Sequence, residues 1–509
     1  MGAVTLPRAE CVDVMLLLEG TFPYVSGGVS SWVNQIIRGF PELRFGAVFI
    51  GSSRDDYEGF KYDLPDNLVH LEEHYLHGGQ HKPPIESCRG DANGFAAIKK
   101  LHEWFLSPSG ADMPVALRDI SFYLKGGSGV DYAQFLYAER SWDYISALYR
   151  ERCTDPSFVD YFWTVRNMHT PVWQLADVAS QLIPAGLYHT VSTGYAGFLG
   201  ALLHHATGRP LILSEHGIYT KERRIDIFHS DWIQDKRNAL QKDQTEISYY
   251  RELWIRFFET LGRFCYDAAE TTVSLFEGAR QRGVDDGASE ERTRVIPNGI
   301  DLDRFAVLRA KRPKHPPHII ALLGRVVPIK DVKTFIRTIR IMATHMPDIQ
   351  GWIVGPADEA PHYAAECRDL VENLAIGDRI SFTGFMDPCD LFPRVGLLAL
   401  TSISEGLPLV ALEGYAAGLP LVATDVGSCR QLVEGAGEVD KALGRAGAIV
   451  PINNPQAMAD ACLHLLQSTE HWEKAQAAAI ARVERFYTHE RMFADYRELY
   501  HKGLATWRA

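Results

Sequence analysis

The sequence predicts an α/β protein that consists of two Rossmann-like domains. In both halves of the 509-residue chain, short apolar runs that fit buried strands alternate with longer segments of helical periodicity. A charged, proline-rich segment at residues 309–317 lies between the halves and is typical of a domain boundary. Alternation of strands and helices implies parallel sheets with right-handed crossover connections.

The first half opens with a strand, a loop and a helix. Residues 12–18 fit a buried parallel strand, residues 19–28 form a loop, and residues 29–40 have helical periodicity. Four further strands are predicted in this half, at residues 44–50, 186–191, 210–214 and 271–275. This alternation of strands and helices is expected of an open parallel sheet.

An insertion separates the early strands, at about residues 74–176. It begins with a His-, Gly- and Pro-rich loop sequence at residues 74–84 and continues with helical patterning. Its aromatic residues include Trp104, Phe105, Tyr137, Trp142, Tyr144, Phe162, Trp163 and Trp173. Aromatic side chains at helical spacing are typical of a core, and the alternative is a docking face or an acceptor platform.

The second half repeats the strand-helix pattern and ends with a helix. Six strands are predicted, at residues 317–323, 350–354, 379–383, 396–401, 419–423 and 447–450. Residues 488–507 predict the last helix, with Thr488 as its N-cap.

Two carboxylates lie in a strand-turn-helix-turn-strand unit at residues 402–428. Glu405 occupies a turn rich in Gly and Pro, and residues 407–417 predict a helix with Pro408 in its first turn. Glu413 lies inside this helix, whose apolar neighbours indicate burial rather than a solvated face. The N–H groups at such a helix start attract phosphate, so the unit suits a ligand with a diphosphate and hydroxyls.

Composition excludes several classes of function. A net charge of −12 argues against nucleic acid as a partner, because phosphate-backbone binding requires a basic face. Eight cysteines without a Cys-x-x-Cys pair indicate reduced thiols rather than a zinc site or disulfides. No apolar run is long enough to span a bilayer and the N-terminus lacks a signal-peptide pattern, so a cytoplasmic protein is expected.

Several motifs together resemble a known enzyme family. They are the Glu405-x7-Glu413 pair, residues 324–331 (Gly-Arg-Val-Val-Pro-Ile-Lys-Asp), 354–355, 382–385 and 296–301. In order, they resemble the retaining, nucleotide-sugar-dependent glycosyltransferases of family 4, whose architecture of two facing Rossmann-like domains is called GT-B. This likeness covers most of residues 295–470.

A second likeness spans nearly the whole chain. The insertion, together with residues 21–29 and 214–223, resembles the cytoplasmic glycosyltransferase subunit of the bacterial Pel exopolysaccharide machinery. The resemblance implies an acceptor-side domain at residues 1–308, a nucleotide-sugar-binding domain at residues 309–487, and a helix at residues 488–509 that crosses back to the first domain.

The resemblance also implies roles for individual residues. Arg325 and Lys330 would bind the diphosphate, and their loop follows an apolar strand, where ligands bind in open α/β sheets. Cations there would stabilise the negative charge of the leaving phosphate. Glu405 would contact hydroxyls of the donor sugar, and Glu413 those of the ribose. The donor-binding residues that the likeness implies are Gly27, Gly28, Gly324, Gly384, Phe385, Met386, Gly406, Leu407, Pro408, Leu409 and Val410, of which Gly384 to Met386 would read the base, uracil by likeness alone.

Two positions depart from common patterns. Many relatives have a His-x-His pair where this chain has His189 and Val191, so a histidine contact to the sugar is in doubt there. His216 is a possible replacement, or equally a buried structural residue. Asp301-x-Asp303 spells a metal-binding motif of a different fold but follows a linker-like segment, so we expect a loop or helix start and no metal.

The function implied is retaining transfer of a hexose or N-acetylhexosamine from a UDP-sugar, without a metal or other cofactor. By the Pel likeness, the acceptor is a growing polysaccharide and the partners are proteins of an inner-membrane polysaccharide synthase complex, which would recruit the chain to the inner face of the membrane. Two alternatives stay open. One is a sugar-nucleotide 2-epimerase of the GT-B class, and the other is a non-catalytic nucleotide-binding scaffold of a membrane polysaccharide synthase.

Overall fold

The computed structural model describes residues 6–76, 88–106, 130–153, 157–230, 248–505 and 507. The chain divides into two compact units. Unit 1 comprises Met1–Ser274, Arg280–Arg294 and Arg497–Ala509, and unit 2 comprises Leu275–Ala279 and Val295–Tyr496. The proline-rich segment predicted as a boundary lies within unit 2.

Unit 1 is built on a sheet of seven described strands in the order β3-β2-β1-β4-β5-β6-β7. The pairs from β3 to β6 are parallel. The strands are β1 (Val12–Glu19), β2 (Phe45–Gly51), β3 (Leu68–Tyr75), β4 (Ala185–Thr190), β5 (Leu211–Glu215), β6 (Thr271–Ser274) and β7 (Thr293–Val295). Residues of β1 are almost completely buried, as expected for the centre of a sheet covered on both faces.

Nine α-helices of the described residues begin between residues 28 and 277, and the last of them belongs partly to unit 2. In chain order they are α1 (Gly28–Gly39), α2 (Ala92–Leu106), α3 (Tyr132–Tyr137), α4 (Glu139–Arg152), α5 (Phe158–Gln181), α6 (Tyr195–Thr207), α7 (Tyr219–His229), α8 (Tyr249–Ala268) and α9 (Glu277–Asp285). Helices α5, α6 and α8 contribute most of the side chains that form the unit's main apolar core with β1, β4 and β5.

Unit 2 contains a six-stranded sheet within residues 319–450, all of them described, in the order β10-β9-β8-β11-β12-β13. All its pairs are parallel. The strands are β8 (Ile319–Leu323), β9 (Gln350–Val354), β10 (Ile380–Gly384), β11 (Leu397–Leu400), β12 (Leu421–Thr424) and β13 (Gly447–Val450). The order reverses between β8 and β11, and ligands bind beyond the carboxyl ends of strands at such a switch point.

The remaining helices follow in sequence. They are α10 (Leu302–Ala306), α11 (Val332–Met342), α12 (Pro361–Asn373), α13 (Pro388–Leu391), α14 (Leu409–Ala416), α15 (Cys429–Glu434), α16 (Glu438–Lys441), α17 (Pro455–Leu466), α18 (Thr469–Phe486) and α19 (His489–Leu504). The Thr488 hydroxyl accepts a hydrogen bond of 3.3 Å from the N–H of Arg491, the contact expected of an N-cap.

The predicted α/β class with two parallel sheets is confirmed, but two strands of unit 1 were not predicted. In strand β3, His70, Glu72 and His74 occupy every second position, and Glu72 lies 2.9 Å from His70 and 3.0 Å from His74. This edge strand therefore has no apolar run that would identify it. Strand β7 has only three residues and is too short to give a pattern.

The aromatic residues of the insertion divide between core and surface. Trp173 is buried with Phe135 and Val130 in a separate small core, whereas Trp142 and Trp163 are each 54% exposed. Most of the loop sequence predicted at residues 74–84, and the side chains of Trp104 and Phe105, lie outside the described residues. Of the helices that the structure describes, none is both long enough and apolar enough to cross a membrane.

Candidate functional site

The loops after β8 and β11 are joined at the switch point of unit 2. The Thr401 hydroxyl donates a hydrogen bond of 2.9 Å to the carbonyl of Lys330. The N–H of Ile403 donates one of 2.8 Å to the carbonyl of Ile329. These bonds hold together two segments that lie more than seventy residues apart in the sequence and that carry most of the predicted charged residues.

Lys330 and Glu405 form an ion pair at this junction. The Lys330 Nζ lies 2.6 Å from Glu405 Oε1, and the Ser402 hydroxyl donates a hydrogen bond of 2.5 Å to the same oxygen. The two side chains are only 20% and 10% exposed. Because solvent screens such a half-buried ion pair only weakly, the attraction between this cation and carboxylate is strong, and the Ser402 hydroxyl adds a hydrogen bond to the carboxylate.

Arg325 lies apart from this pair. Its side chain is 56% exposed, and its Nη1 lies 2.7 and 2.6 Å from the two carboxylate oxygens of Glu359. The backbone of Gly324, the preceding residue, lies against Gly355 in the loop after β9. A Cβ added to Gly355 would lie 2.1 Å from the Gly324 carbonyl oxygen, and the φ of Gly355 is +147°. The backbone at this edge is therefore fixed, while the exposed Arg325 can turn towards an anion.

Helix α14 differs slightly from the prediction. It begins at Leu409 and ends at Ala416, not at residues 407 and 417, because Pro408 has the extended conformation of an N-cap. The N–H groups of Leu409 and Val410 therefore lack intrahelical partners. Gly406 and Leu407 form the turn before them, and the Gly406 carbonyl accepts hydrogen bonds from the Ser428 N–H at 3.0 Å and hydroxyl at 2.9 Å.

Glu413 lies inside α14 and is half-buried. Burial raises the pKa of its carboxyl to about 7, with a smaller opposing effect from Arg304 and a further rise from Asp387. Arg304 itself lies 3.5 Å from Asp387. No described residue makes a hydrogen bond to the Glu413 side chain, so its carboxyl can accept hydrogen bonds from a ligand.

If Glu413 accepts hydrogen bonds from a ribose, as the family resemblance implies, the affinity for UDP-glucose should rise up to about tenfold between pH 6 and pH 8, because the ionised carboxylate accepts hydroxyls more strongly. Calorimetric titration of UDP-glucose without acceptor measures this affinity. Neither phosphate of UDP-glucose titrates between pH 6 and pH 8, so the ligand itself does not cause the pH dependence. The Glu413→Gln variant should bind more weakly and without this pH dependence. A wild-type affinity that is constant over the range would contradict the ribose role.

The same raised pKa predicts an effect on stability. Between about pH 4.5 and pH 7 the folded state keeps a proton on Glu413 that the unfolded state has lost, so its contribution to stability falls as the pH rises through this window. Glu413→Gln should therefore flatten the fall in Tm between pH 5 and pH 8.

The segment after β10 lies at the same edge of the sheet. Strand β10 ends at Gly384, whose φ is +67° and whose carbonyl accepts a hydrogen bond of 2.9 Å from the Gly355 N–H. Phe385 is 83% exposed, and Met386 packs on the core. An exposed aromatic ring beside fixed backbone groups suits a planar base.

Asp301 is the N-cap of α10, since its carboxylate accepts a hydrogen bond of 3.1 Å from the Arg304 N–H. The predicted helix start at Asp301-x-Asp303 is therefore confirmed.

Unit 1 has a cleft of about 850 Å³ at the carboxyl edge of its own sheet. Residues from the ends of β1, β2, β4 and β5 line it, together with side chains from α5, α7 and α8. Gly27 is the N-cap of α1 and Gly28 is its first residue, and the next residue, Val29, lines the cleft.

His216 lines this cleft and His189 does not. The His216 ring lies 4.3 Å from the Trp32 ring, its Nε2 has no hydrogen-bond partner among the described residues, and burial lowers its pKa to about 3. His189 is fully buried, with its ring nitrogens 2.8 Å from the Tyr500 hydroxyl and 2.8 Å from the Ser214 hydroxyl. Val191 lines the same cleft as His216. His189 is therefore a structural residue, and His216 is the neutral histidine that faces the cleft.

Sequence reasoning missed a carboxylate in this cleft. Glu19, the last residue of β1, accepts hydrogen bonds from the Tyr219 hydroxyl at 3.0 Å and the Ala196 N–H at 3.3 Å. The Arg223 guanidinium lies 3.9 Å away. An acidic residue directly after a buried strand was the available indication, but its partners lie about 180 to 200 residues further along the chain.

We predict that Gly27→Ala separates a ligand role from a structural one. The backbone of Gly27 is extended, and an added Cβ would meet nothing within 4 Å, so stability should change by no more than about 1 kcal/mol. If a ligand approaches this backbone closely, the KM for the donor or acceptor should rise at least about tenfold, which is about 1.4 kcal/mol. Unchanged KM values together with an unchanged Tm would contradict a ligand role for Gly27.

Comparison with known families gives two matches along the chain. Residues 12–291 match the family described as "Domain of unknown function (DUF3492)". Residues 317–468 match the family described as "Glycosyl transferases group 1". The second match contains the Lys330–Glu405 pair and helix α14.

Curated relatives match part of the chain. A D-inositol 3-phosphate glycosyltransferase of Streptomyces scabiei (strain 87.22) is 28% identical over 214 residues, which is 39% of this chain and 46% of that protein. One of Nocardia farcinica (strain IFM 10152) is 27% identical over 232 residues, 43% of this chain and 50% of that protein. This chain thus spans about half the length of the curated relatives it matches.

Solved structures match nearly the whole chain at low identity. HepE of Anabaena, in complex with UDP and glucose, has a TM-score of 0.58 and 15% identity, covering 96% of this chain and 99% of that one. A sucrose-phosphate synthase from Thermosynechococcus elongatus has a TM-score of 0.56 and 17% identity, covering 97% and 99%. These likenesses show the fold, and the predicted GT-B class is confirmed.

Proposed function

Because the chain belongs to the family described as "Domain of unknown function (DUF3492)" and its residues 317–468 match glycosyl transferases group 1, we propose that it is a glycosyltransferase that uses a UDP-sugar. The Lys330–Glu405 pair carries this proposal. It places a cation and a carboxylate at the switch point of unit 2, beside the N–H groups that begin α14.

Each part of a UDP-sugar then has a partner in unit 2. Lys330 and the first N–H groups of α14 bind the diphosphate, and Arg325 leaves Glu359 to join them. Glu405 accepts hydrogen bonds from the sugar hydroxyls, and Glu413 accepts those of the ribose. The backbone of Gly384 to Met386 binds the base. The complex of Anabaena HepE with UDP supports this choice of nucleotide, since that protein shares the fold.

The chemistry follows from this arrangement. The bond between the anomeric carbon and the diphosphate oxygen breaks, and a bond from that carbon to an acceptor hydroxyl forms on the same face of the sugar. The acceptor proton passes to the leaving phosphate, whose negative charge Lys330 and Arg325 stabilise. This step needs no nucleophile from the protein and keeps the α configuration.

Finer features belong to the same proposal. The transferred group is a hexose or N-acetylhexosamine, unit 1 holds the acceptor, and the acceptor is a growing exopolysaccharide of the Pel type. Partners would be proteins of an inner-membrane polysaccharide synthase complex. The motifs at residues 21–29 and 214–223 support this part, and they include the Thr21 and His216 that line the unit 1 cleft.

A donor panel tests the proposal. UDP-glucose, UDP-N-acetylglucosamine and UDP-N-acetylgalactosamine are each incubated with the full chain, with and without EDTA, and UDP release is measured. We expect release from at least one donor, equal with and without EDTA. Conversion of the donor to its 2-epimer without UDP release would contradict the proposal and indicate an epimerase. UDP binding without UDP release from any donor would contradict it and indicate a nucleotide-binding scaffold.

A further inference from the structure

Part of the lining of the unit 1 cleft comes from outside the sheet. Asn167 and Thr170 of α5, and Trp254 and Phe258 of α8, line it together with the strand ends. Most of α5 belongs to the insertion at residues 74–176. The insertion therefore forms part of the binding surface itself.

Three buried polar atoms in the cleft lack hydrogen-bond partners among the described residues. They are Thr21 Oγ1, Ser192 Oγ and His216 Nε2. Buried polar groups are nearly always hydrogen-bonded in folded proteins. A hydroxyl can both donate and accept, and a neutral imidazole nitrogen does one or the other, so these atoms match a ligand with several hydroxyls.

Aromatic rings lie among these polar atoms. Tyr57, Tyr195 and Tyr219 line the cleft with the two aromatic residues of α8. Ring faces combined with separate polar groups suit sugars, which present C–H faces as well as hydroxyls. The volume of about 850 Å³ lies in the upper part of the range of ligand sites, roughly 300–1,000 Å³, which favours more than one sugar residue.

Asn167 provides a free polar group at the edge of this surface. Its side chain is exposed and makes no hydrogen bond with a described residue. Thr170, three residues later on the same helix face, already accepts from the Tyr132 hydroxyl at 3.2 Å and donates to the Arg166 carbonyl at 2.8 Å. The Asn167 amide therefore offers a donor and an acceptor that nothing described in the protein uses.

We propose that the cleft binds an oligosaccharide of at least two sugar residues, and that Asn167 is a specificity-determining residue that contacts the second one. The proposal rests on the proposed function in taking unit 1 as the acceptor side. It adds that the insertion selects acceptors by chain length.

Saccharide binding without any nucleotide tests the proposal. Mono-, di-, tri- and tetrasaccharides of glucose, N-acetylglucosamine and N-acetylgalactosamine are titrated calorimetrically into the full chain. We expect at least a tenfold gain in affinity from monosaccharide to trisaccharide in one series. Asn167→Ala should reduce this gain to under threefold and leave the monosaccharide Kd unchanged, and Asn167→Gln should restore part of it.

Asp177→Ala is the matched control, since Asp177 is an exposed polar residue of the same helix that does not line the cleft. It should keep the full gain. Absence of binding by the whole panel, no gain with length, or a full gain in Asn167→Ala would each overturn the proposal. UDP release without a length-dependent gain in affinity would support the proposed function and contradict the cleft proposal. A length-dependent gain in affinity without UDP release from any donor would support the cleft proposal and contradict the glycosyltransferase function.

Discussion

Replacing Lys330 by alanine is expected to lower kcat/KM for UDP release by about 10²- to 10³-fold. The Lys330 Nζ is the cation held at the switch point, so its removal takes away the charge that stabilises the leaving diphosphate. It also leaves the half-buried Glu405 carboxylate without a counter-ion, where it would repel the diphosphate. Steady-state kinetics with the best donor of the panel measures the loss.

Lys333→Ala is the matched control. Lys333 lies one turn further along, and its Nζ is 2.6 Å from Glu366 in an ion pair of similar length. Its removal should change kcat/KM less than about twofold, because such surface pairs contribute little. The double variant Lys330→Ala, Glu405→Gln separates folding from catalysis. It should recover the Tm that the single variant loses, since no unpaired charge remains, but it should stay inactive. An active Lys330→Ala variant would contradict the assignment of the diphosphate site.

Gly427→Ala is expected to destabilise unit 2 and to reduce turnover together. Gly427 has a φ of +54°, and an added Cβ would lie 2.1 Å from the Glu405 carbonyl oxygen and 2.6 Å from that of Gly406. A left-handed backbone costs an L-residue about 1–2 kcal/mol, and the Glu405 loop must also move. We expect a loss of about 2–5 kcal/mol in the free energy of unfolding. Displacement of Glu405 by about 1 Å should lower kcat about 10²-fold.

Thermal unfolding followed by circular dichroism, with kinetics on the folded protein, measures both effects. Gly377→Ala is the control in the same unit, because an added Cβ there meets nothing within 4 Å and Gly377 has no left-handed φ. It should leave both quantities near those of the wild type. If Gly427→Ala also kept the wild-type Tm and kcat, the turn at Gly427 would not hold the Glu405 loop.

Elements with a clear local pattern were predicted closely from the sequence. Strand β9 and strand β13 have the predicted bounds, and β1 extends only one residue beyond its predicted end. Each is an apolar run that ends in Gly, Pro or a charged residue, so local composition is enough to define it. The start of α14 was predicted less accurately, because proline fits both the first turn of a helix, where Pro408 was predicted, and the N-cap, where the structure has it.

Contacts across the chain could not be predicted in the same way. Glu19 and Tyr219 are 200 residues apart, and Lys330 and Glu405 are 75 apart. Parallel sheets bring their partners together at one edge, but which side chains meet there depends on strand order and helix packing. The pairing of Arg325 with Glu359 depends on the loop after β9, which carries no motif.

The central claim is that the carboxyl edge of unit 2 binds the diphosphate of a UDP-sugar through Lys330. Calorimetric titration of UDP and of uridine into the wild type and Lys330→Ala tests it most directly. We predict that the wild type binds UDP at least about a hundredfold more tightly than uridine, or about 2.7 kcal/mol, and that Lys330→Ala loses most of this difference while its uridine affinity is unchanged. Equal affinities for UDP and uridine in the wild type, or an undiminished difference in the variant, would contradict the claim.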